Sequence, residues 1–203
     1  TIDALMDLSE RLAADAFLPH YHEADVVEPK LEGGEVRVLP AARAALDQYR
    51  DLGLFSASFA PELGGMGLPT LVCHASFAQF LAANPATAGY VLLTNGNSRL
   101  IATFGNPAQV EHFALPQIEG RWFGTMCLSE PQAGSGLGDV ATRAVREGED
   151  QLGQRYRLKG NKMWISGGDQ DASENIVHLV LAKVPDAEGQ LPEGTKGISL
   201  FIV

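Results

Sequence analysis

Up to Gly120 the apolar positions of the chain fall at helical spacing. Ile2, Leu5, Met6, Leu12, Ala13, Ala16 and Phe17 recur at intervals of three and four, which places them on one face of a helix. Pro19 ends the clearest part of that run. A polar loop containing Glu28, Pro29, Gly33 and Gly34 follows. Ala42, Ala45, Leu46, Tyr49 and Leu52 predict a second amphipathic helix with Gly53 as its C-terminal cap. An irregular stretch, Pro61-Glu62-Leu63-Gly64-Gly65-Met66-Gly67, separates it from a third helix predicted over residues 70–83. Asn84-Pro85 breaks that helix. A fourth is predicted over residues 86–104, closed by Gly105-Asn106-Pro107, and a short one carries Gln109, Val110 and Phe113.

Beyond Gly120 the period falls to two. Strands are predicted over residues 123–128 and 142–146, around Tyr156 and Leu158, and over 162–166 after a turn at Lys159-Gly160-Asn161. Two more follow, over 175–184 and 197–203. No long helical pattern interrupts them. The expected class is therefore α+β: an all-α helical domain over residues 1–120, then an antiparallel β-barrel domain over residues 121–203. The sequence stops at Val203 in mid-strand, which reads as a truncation.

Composition narrows the field. With 203 residues, 45% hydrophobic and 20% charged, the chain can bury a core without disulfide staples. No apolar run approaches about eighteen residues, so no membrane span is expected. The first residues are acidic and amphipathic, unlike a basic and then apolar leader, so no signal peptide is expected. Fifteen basic against twenty-five acidic residues leave a formal charge of -10. Sequence-independent nucleic-acid binding needs the opposite balance. Cys73 and Cys127 stand far apart in unlike contexts, which fits reduced thiols and a cytoplasmic location.

Several short motifs imitate binding sites. Gly134-Ser135-Gly136-Leu137-Gly138 is close to a dinucleotide fingerprint, but Asp139 occupies the position of the required third glycine and strand, not helix, follows. Gly194-Thr195-Lys196-Gly197 lacks the first glycine of a P-loop and reads as a turn. Asp169-Gln170-Asp171-Ala172-Ser173 begins like a calcium loop, yet Glu174 replaces its glycine and Val180 its final ligand. A solvated hairpin loop is expected there. His20 and His22 point to different helix faces, and no third ligand falls at a recognised spacing, so no metal site is expected. His178, inside an apolar strand, reads as a hydrogen-bonded core histidine.

Three segments are more specific. Cys127-Leu128-Ser129-Glu130-Pro131-Gln132-Ala133-Gly134-Ser135 and Gly160-Asn161-Lys162-Met163-Trp164-Ile165-Ser166 resemble the two signature segments of the acyl-CoA dehydrogenase family. The Pro61–Gly67 turn resembles the Pro-Glu-x-Gly-Gly-x-Gly turn of the same family. They occur in the family's order, and the resemblance covers essentially the whole chain. Residues 175–183 and 194–203 resemble the long-chain branch that includes methylthiopropionyl-CoA dehydrogenases.

The resemblance implies an FAD enzyme that oxidises an acyl-CoA thioester to a trans-2-enoyl-CoA. It implies that Leu128 and Ser129 meet the flavin's pyrimidine side, with Met126 nearby where an aromatic is common. It implies that Trp164 packs on the flavin, that Ile165 and Ser166 reach the flavin's polar edge, and that Ser135 contacts the CoA part of the substrate. Gln132 stands where glycine is frequent. Gly136-Leu137-Gly138 replaces an acidic residue expected directly after Ser135. The resemblance places the catalytic base in a C-terminal helical domain absent from these 203 residues, so no catalytic residue is assigned here, and Glu62 and Glu130 are read as structural. A chain of this extent is expected to be inactive alone. Expected partners of the full-length protein are the acyl-CoA substrate, an electron-transfer flavoprotein or similar acceptor, and further copies in a homo-oligomer. Other flavin chemistry of the family (an acyl-CoA oxidase, a nitroalkane oxidase or a DNA-associated flavoprotein) and a non-catalytic binding module remain alternatives.

Overall fold

The computed structural model describes residues 2–203. Helix α1, Ile2–Leu12, runs on through a wide π turn, Ala13–Phe17, and a tight 3-10 turn, Leu18–His20, into α2, Tyr21–Val26. Pro19 therefore does not end the helical path. It sits at the start of the tight turn, where its missing N–H is not needed. His20, in the same turn, is buried. Its Nδ1 lies 2.9 Å from the Ala16 carbonyl, which can only accept, so Nε2 accepts from the Thr87 hydroxyl at 2.8 Å. That neutral ring ties the irregular segment to a distant helix.

The polar segment that follows is not a plain loop. Strands β1, Lys30–Glu32, and β2, Glu35–Arg37, pair antiparallel around Gly33 and Gly34, both with positive φ. Such two-residue hairpin turns need that backbone. The strands are exposed and too short to show alternation. Helices α3 (Pro40–Asp51), α4 (Thr70–Ala83) and α5 (Pro85–Phe104) lie where the apolar spacing predicts them. Asn84 caps α5 by accepting from the Thr87 amide at 3.1 Å. A last helical run comprises α6 (Pro107–Gln109), a π turn (Val110–Ala114) and α7 (Leu115–Ile118). The helices bury an aromatic cluster: Phe17 and Tyr49 meet Phe80 edge-on at 4.9 and 5.0 Å, and Tyr49 meets Phe55 at 5.1 Å.

Five strands form the second layer: β3 (Trp122–Cys127), β4 (Arg143–Asp150), β5 (Gly153–Lys159), β6 (Asn175–Lys183) and β7 (Ile198–Ile202). The α+β class holds, but the sheet is mixed rather than all antiparallel, and a closed barrel is a loose description of it. β3 runs parallel to β6, from Trp122 beside Asn175 to Cys127 beside Val180. β4 touches β6 in parallel at one pair, Arg143 and Lys183, while β5 and β7 pair antiparallel with β4 and β6. A period of two is the same for both pairings, so alternation cannot tell them apart. The strand predicted over 162–166 is absent; that stretch is irregular. Trp164 has φ of 57°, the left-handed region, which breaks any ladder there.

Helix α5 lies across β3. Asn97 Nδ2 donates to the carbonyls of Thr125 at 3.0 Å and Val177 at 2.8 Å, and Gln117 Nε2 donates to Asn97 Oδ1 at 3.1 Å. Phe55 stacks on Phe123 at 5.7 Å and extends the aromatic cluster to the sheet.

Candidate functional site

The two signature segments meet at Glu130. Its side chain is 2% exposed. Oε1 accepts from Lys162 Nζ at 2.7 Å, the Thr142 hydroxyl at 2.5 Å and the Thr142 amide at 3.1 Å. Oε2 accepts from the Ala141 amide at 2.8 Å and Gln132 Nε2 at 2.6 Å. Burial by itself would raise the pKa. The Lys162 ammonium, the Thr142 hydroxyl and the two amides outweigh it and hold the carboxyl down at about 2. A carboxylate with both oxygens so occupied is a poor proton acceptor. It joins two loops.

The junction aligns the backbones on either side. Lys162 Nζ also donates to the Leu128 carbonyl at 2.9 Å, and the Met163 amide donates to the Ser129 carbonyl at 3.0 Å. Leu128 and Ser129 are thereby fixed beside Lys162 and Met163, with Trp164 next in the chain. Met126 lies two residues before Leu128 on β3 and is partly exposed, on the face opposite Thr125 and Cys127. Trp164 is 76% exposed, and it is the one non-glycine residue with positive φ among the described residues. Ile165 is half-buried and Ser166 exposed. The Gly168 amide closes a turn onto the Ile165 carbonyl at 3.1 Å. The hydroxyls of Ser129 and Ser166 have no partner among the described residues.

Ser135 is not brought into this group. It sits exposed on the loop that leaves the Glu130 and Ala133 bridge and enters a short turn, Leu137–Asp139. That loop is held by the buried Lys183, which donates to the Gly138 carbonyl at 2.7 Å, and by Gln132 Nε2, 3.3 Å from the Asp139 carbonyl. Two cavities of about 600 and 380 Å³ lie between α5, β5 and β7 and within the helical layer; none of the residues 126, 128, 129, 135 and 164–166 lines either.

Residues 169–174 depart from the expected solvated hairpin. Gln170 and Ala172 are buried, and Ala172 packs into the helical core with Phe17 and Val38. Asp171 Oδ1 accepts from the Val38 amide at 3.0 Å, and its Oδ2 lies 3.2 Å from Arg37 Nη1. The Val38 amide, opposed by some burial and aided by Arg37, holds this carboxyl below its ordinary range. The partners stand 133 and 134 positions away in a segment without motif character, so no sequence signal marks them. His178 does behave as a bonded histidine: its Nδ1 lies 2.7 Å from Thr125 Oγ1, and burial lowers its pKa. Among the described residues no group of three or more His, Cys, Asp or Glu is placed to hold a metal, and no helix is long and apolar enough to cross a membrane.

Residues 2–121 match the family described as acyl-CoA dehydrogenase, N-terminal domain. The chain belongs to the acyl-CoA dehydrogenase family. It is 40% identical over 99% of its length to a 3-methylmercaptopropionyl-CoA dehydrogenase of Ruegeria pomeroyi, of which it covers 33%. The chain thus spans about a third of the length of that relative. Among solved structures, butyryl-CoA dehydrogenase of Megasphaera elsdenii has the same fold, with a TM-score of 0.74 at 23% identity over 100% of this chain and 48% of that one. An acyl-CoA dehydrogenase of Bacillus anthracis complexed with FAD superposes with a TM-score of 0.75 at 24% identity, over 100% of this chain and 31% of that one. The acyl-CoA dehydrogenase fold accounts for the mixed sheet and for the helical layer packed across it.

Proposed function

We propose that these residues form the helical and sheet portions of an FAD-dependent dehydrogenase that converts an acyl-CoA thioester to its trans-2-enoyl-CoA. The carrying observation is Trp164. A large indole held in the open on a left-handed backbone is unfavourable unless a flat partner covers it. Around it stand two unpartnered hydroxyls, Ser129 and Ser166, on loops locked together through Glu130 and Lys162. An apolar wall flanked by polar donors suits an isoalloxazine ring.

A bound flavin supplies the acceptor for the hydride that leaves the substrate's β-carbon. The roles of the chain are to bind and orient. Trp164 covers one face of the ring, with Met126 at the end of β3. Leu128 and Ser129 address its pyrimidine side, and Ile165 and Ser166 its polar edge. Ser135 meets the CoA portion from its separate loop. The family resemblance implies that the α-proton is taken by a carboxylate outside these residues; Glu130, with both oxygens engaged, is not suited to it. The whole protein works with an electron-transferring flavoprotein or similar acceptor and as a homo-oligomer. The test is anaerobic: the full-length protein, purified yellow, should be bleached by some member of an acyl-CoA panel. A full-length protein without flavin, or one that no acyl-CoA bleaches, would overturn this reading.

A further inference from the structure

Residues 164–166 are held from two sides, and only one is the Glu130 junction. That junction ends at Met163. Beyond Ser166 come Gly167 and Gly168, a pair with little conformational restraint of its own. Gly167 has φ of 63° and rests on α5, where an added Cβ would meet the Tyr90 ring at 3.1 Å. The Gly168 amide closes a local turn onto the Ile165 carbonyl at 3.1 Å, and that turn is next tied to other elements at residues 170–172. There Gln170 Oε1 accepts from the Ala172 amide and its Nε2 donates to Ser173 Oγ at 2.6 Å, while Ala172 is 6% exposed in the helical core. Asp171 between them binds the Val38 amide and Arg37, at the junction where β2 passes into α3.

On this geometry we propose that Asp171 is a positioning residue: by clamping its loop to Arg37 and Val38, it fixes Ser166 and the turn behind Trp164 for the flavin. The proposal rests on the flavin reading above. Trp164 directly follows the firm Met163 contact, so loss of the clamp should leave indole stacking largely in place. Ser166 adjoins the glycine pair and should move more. The Asp171 carboxylate is stabilised by its partners and stays ionised through the neutral range, so the clamp does not open near neutral pH.

The test uses the FAD-loaded full-length protein. Asp171→Ala removes both contacts, Asp171→Asn keeps an acceptor for the Val38 amide, and Arg37→Ala removes the ion pair, together with Arg37's exposed pair to Glu35, while leaving the Val38 bond. In Asp171→Ala, flavin reduction by acyl-CoA should slow roughly tenfold, the order expected for a small misplacement of reacting groups. FAD affinity should change less than threefold, and amide exchange over residues 165–170 should speed up in the flavin-free protein. Asp171→Asn should recover most of the rate. If Asp171→Ala does not fold, the same ordering is read from Arg37→Ala and Asp171→Asn, with smaller effects. Faster exchange with unchanged reduction rate and flavin spectrum would overturn the positioning role. Ser166→Ala serves as the control. If it too leaves reduction and spectrum untouched, the flavin reading fails, whereas an effect of Ser166→Ala without one of Asp171→Ala defeats only the clamp.

Discussion

Lys162 Nζ and Glu130 Oε1 lie 2.7 Å apart in a largely buried ion pair that joins two loops 32 positions apart. Each partner also holds backbone: Glu130 the amides of Ala141 and Thr142, Lys162 the carbonyl of Leu128. Removing one partner strands the other's charge. Lys162→Met should therefore destabilise the full-length protein by about 3 kcal/mol, the usual penalty for an orphaned buried charge. The paired change Glu130→Gln with Lys162→Met should be milder than the sum of the singles, as thermal midpoints of the four proteins would show.

The same pair sets an acid limit. The folded-state pKa of Glu130, about 2, lies below the ordinary carboxylate value of 4.5. Its contribution is complete above about 4.5 and is lost as the pH falls from there through about 2, because the unfolded chain binds the proton first. Glu130→Gln should flatten the stability profile in that window and leave its slope above pH 5 unchanged.

His20 acts in a different window. Burial, opposed by the Ala16 carbonyl and by Glu23, lowers its pKa below 6.5. The neutral ring's contribution is present above 6.5 and declines as the pH falls below it. His20→Gln should remove that part of the slope. Its effect should be local, with faster amide exchange in the Leu18–His20 turn and near Thr87.

Substitutions at the proposed flavin wall should separate retention from reactivity. Trp164→Ala should weaken FAD binding about tenfold, as loss of roughly 1.4 kcal/mol of ring contact implies, and shift the visible absorption band. Ser166→Ala should retain FAD but slow its reduction, because it removes a donor at the polar edge. Equal FAD retention and equal spectra in both variants would contradict these assignments.

Much of the fold is legible in the sequence because long amphipathic helices write their period clearly. The apolar faces of α1 and α3 follow from that spacing, and Asn84-Pro85 marks where α4 gives way to α5. Pro19 misleads because a tight turn absorbs it, and β1 and β2 are too short and exposed to alternate. At the candidate site, motif order brings out Leu128, Ser129 and residues 164–166. What holds them is invisible in the sequence: the Glu130 with Lys162 pair and the Asp171 with Val38 bond join positions far apart, and neither leaves a periodic trace. Residues 162–166, an apolar run after the Lys159-Gly160-Asn161 turn, suggest a strand, but side-chain polarity does not report the left-handed backbone at Trp164.

The contact between α5 and β3 supplies the last prediction. Gly124 lies directly beneath Asn97 and Gln117, and its amide donates to Thr94 Oγ1 at 3.1 Å. A Cβ there would collide with both side chains, neither of which can swing away. Asn97 is held by the carbonyls of Thr125 and Val177, and Gln117 Nε2 donates to the Phe113 carbonyl at 2.8 Å. Gly124→Ala must therefore shift α5 from the sheet or break bonds that span β3 and β6. Overpacking of this kind costs about 1–3 kcal/mol. Asn97→Ala keeps the Cβ that crowds this position, and it takes the amide donor from two buried carbonyls, so it should destabilise as well. In the double variant, Gln117 has lost its bond to Asn97 Oδ1 and can give way to the alanine at 124, so the loss should fall short of the sum of the two singles. Thermal midpoints of the three variants test this. Strict additivity would mean that Gly124 and Asn97 do not press on each other and that the close approach of α5 to β3 has another cause.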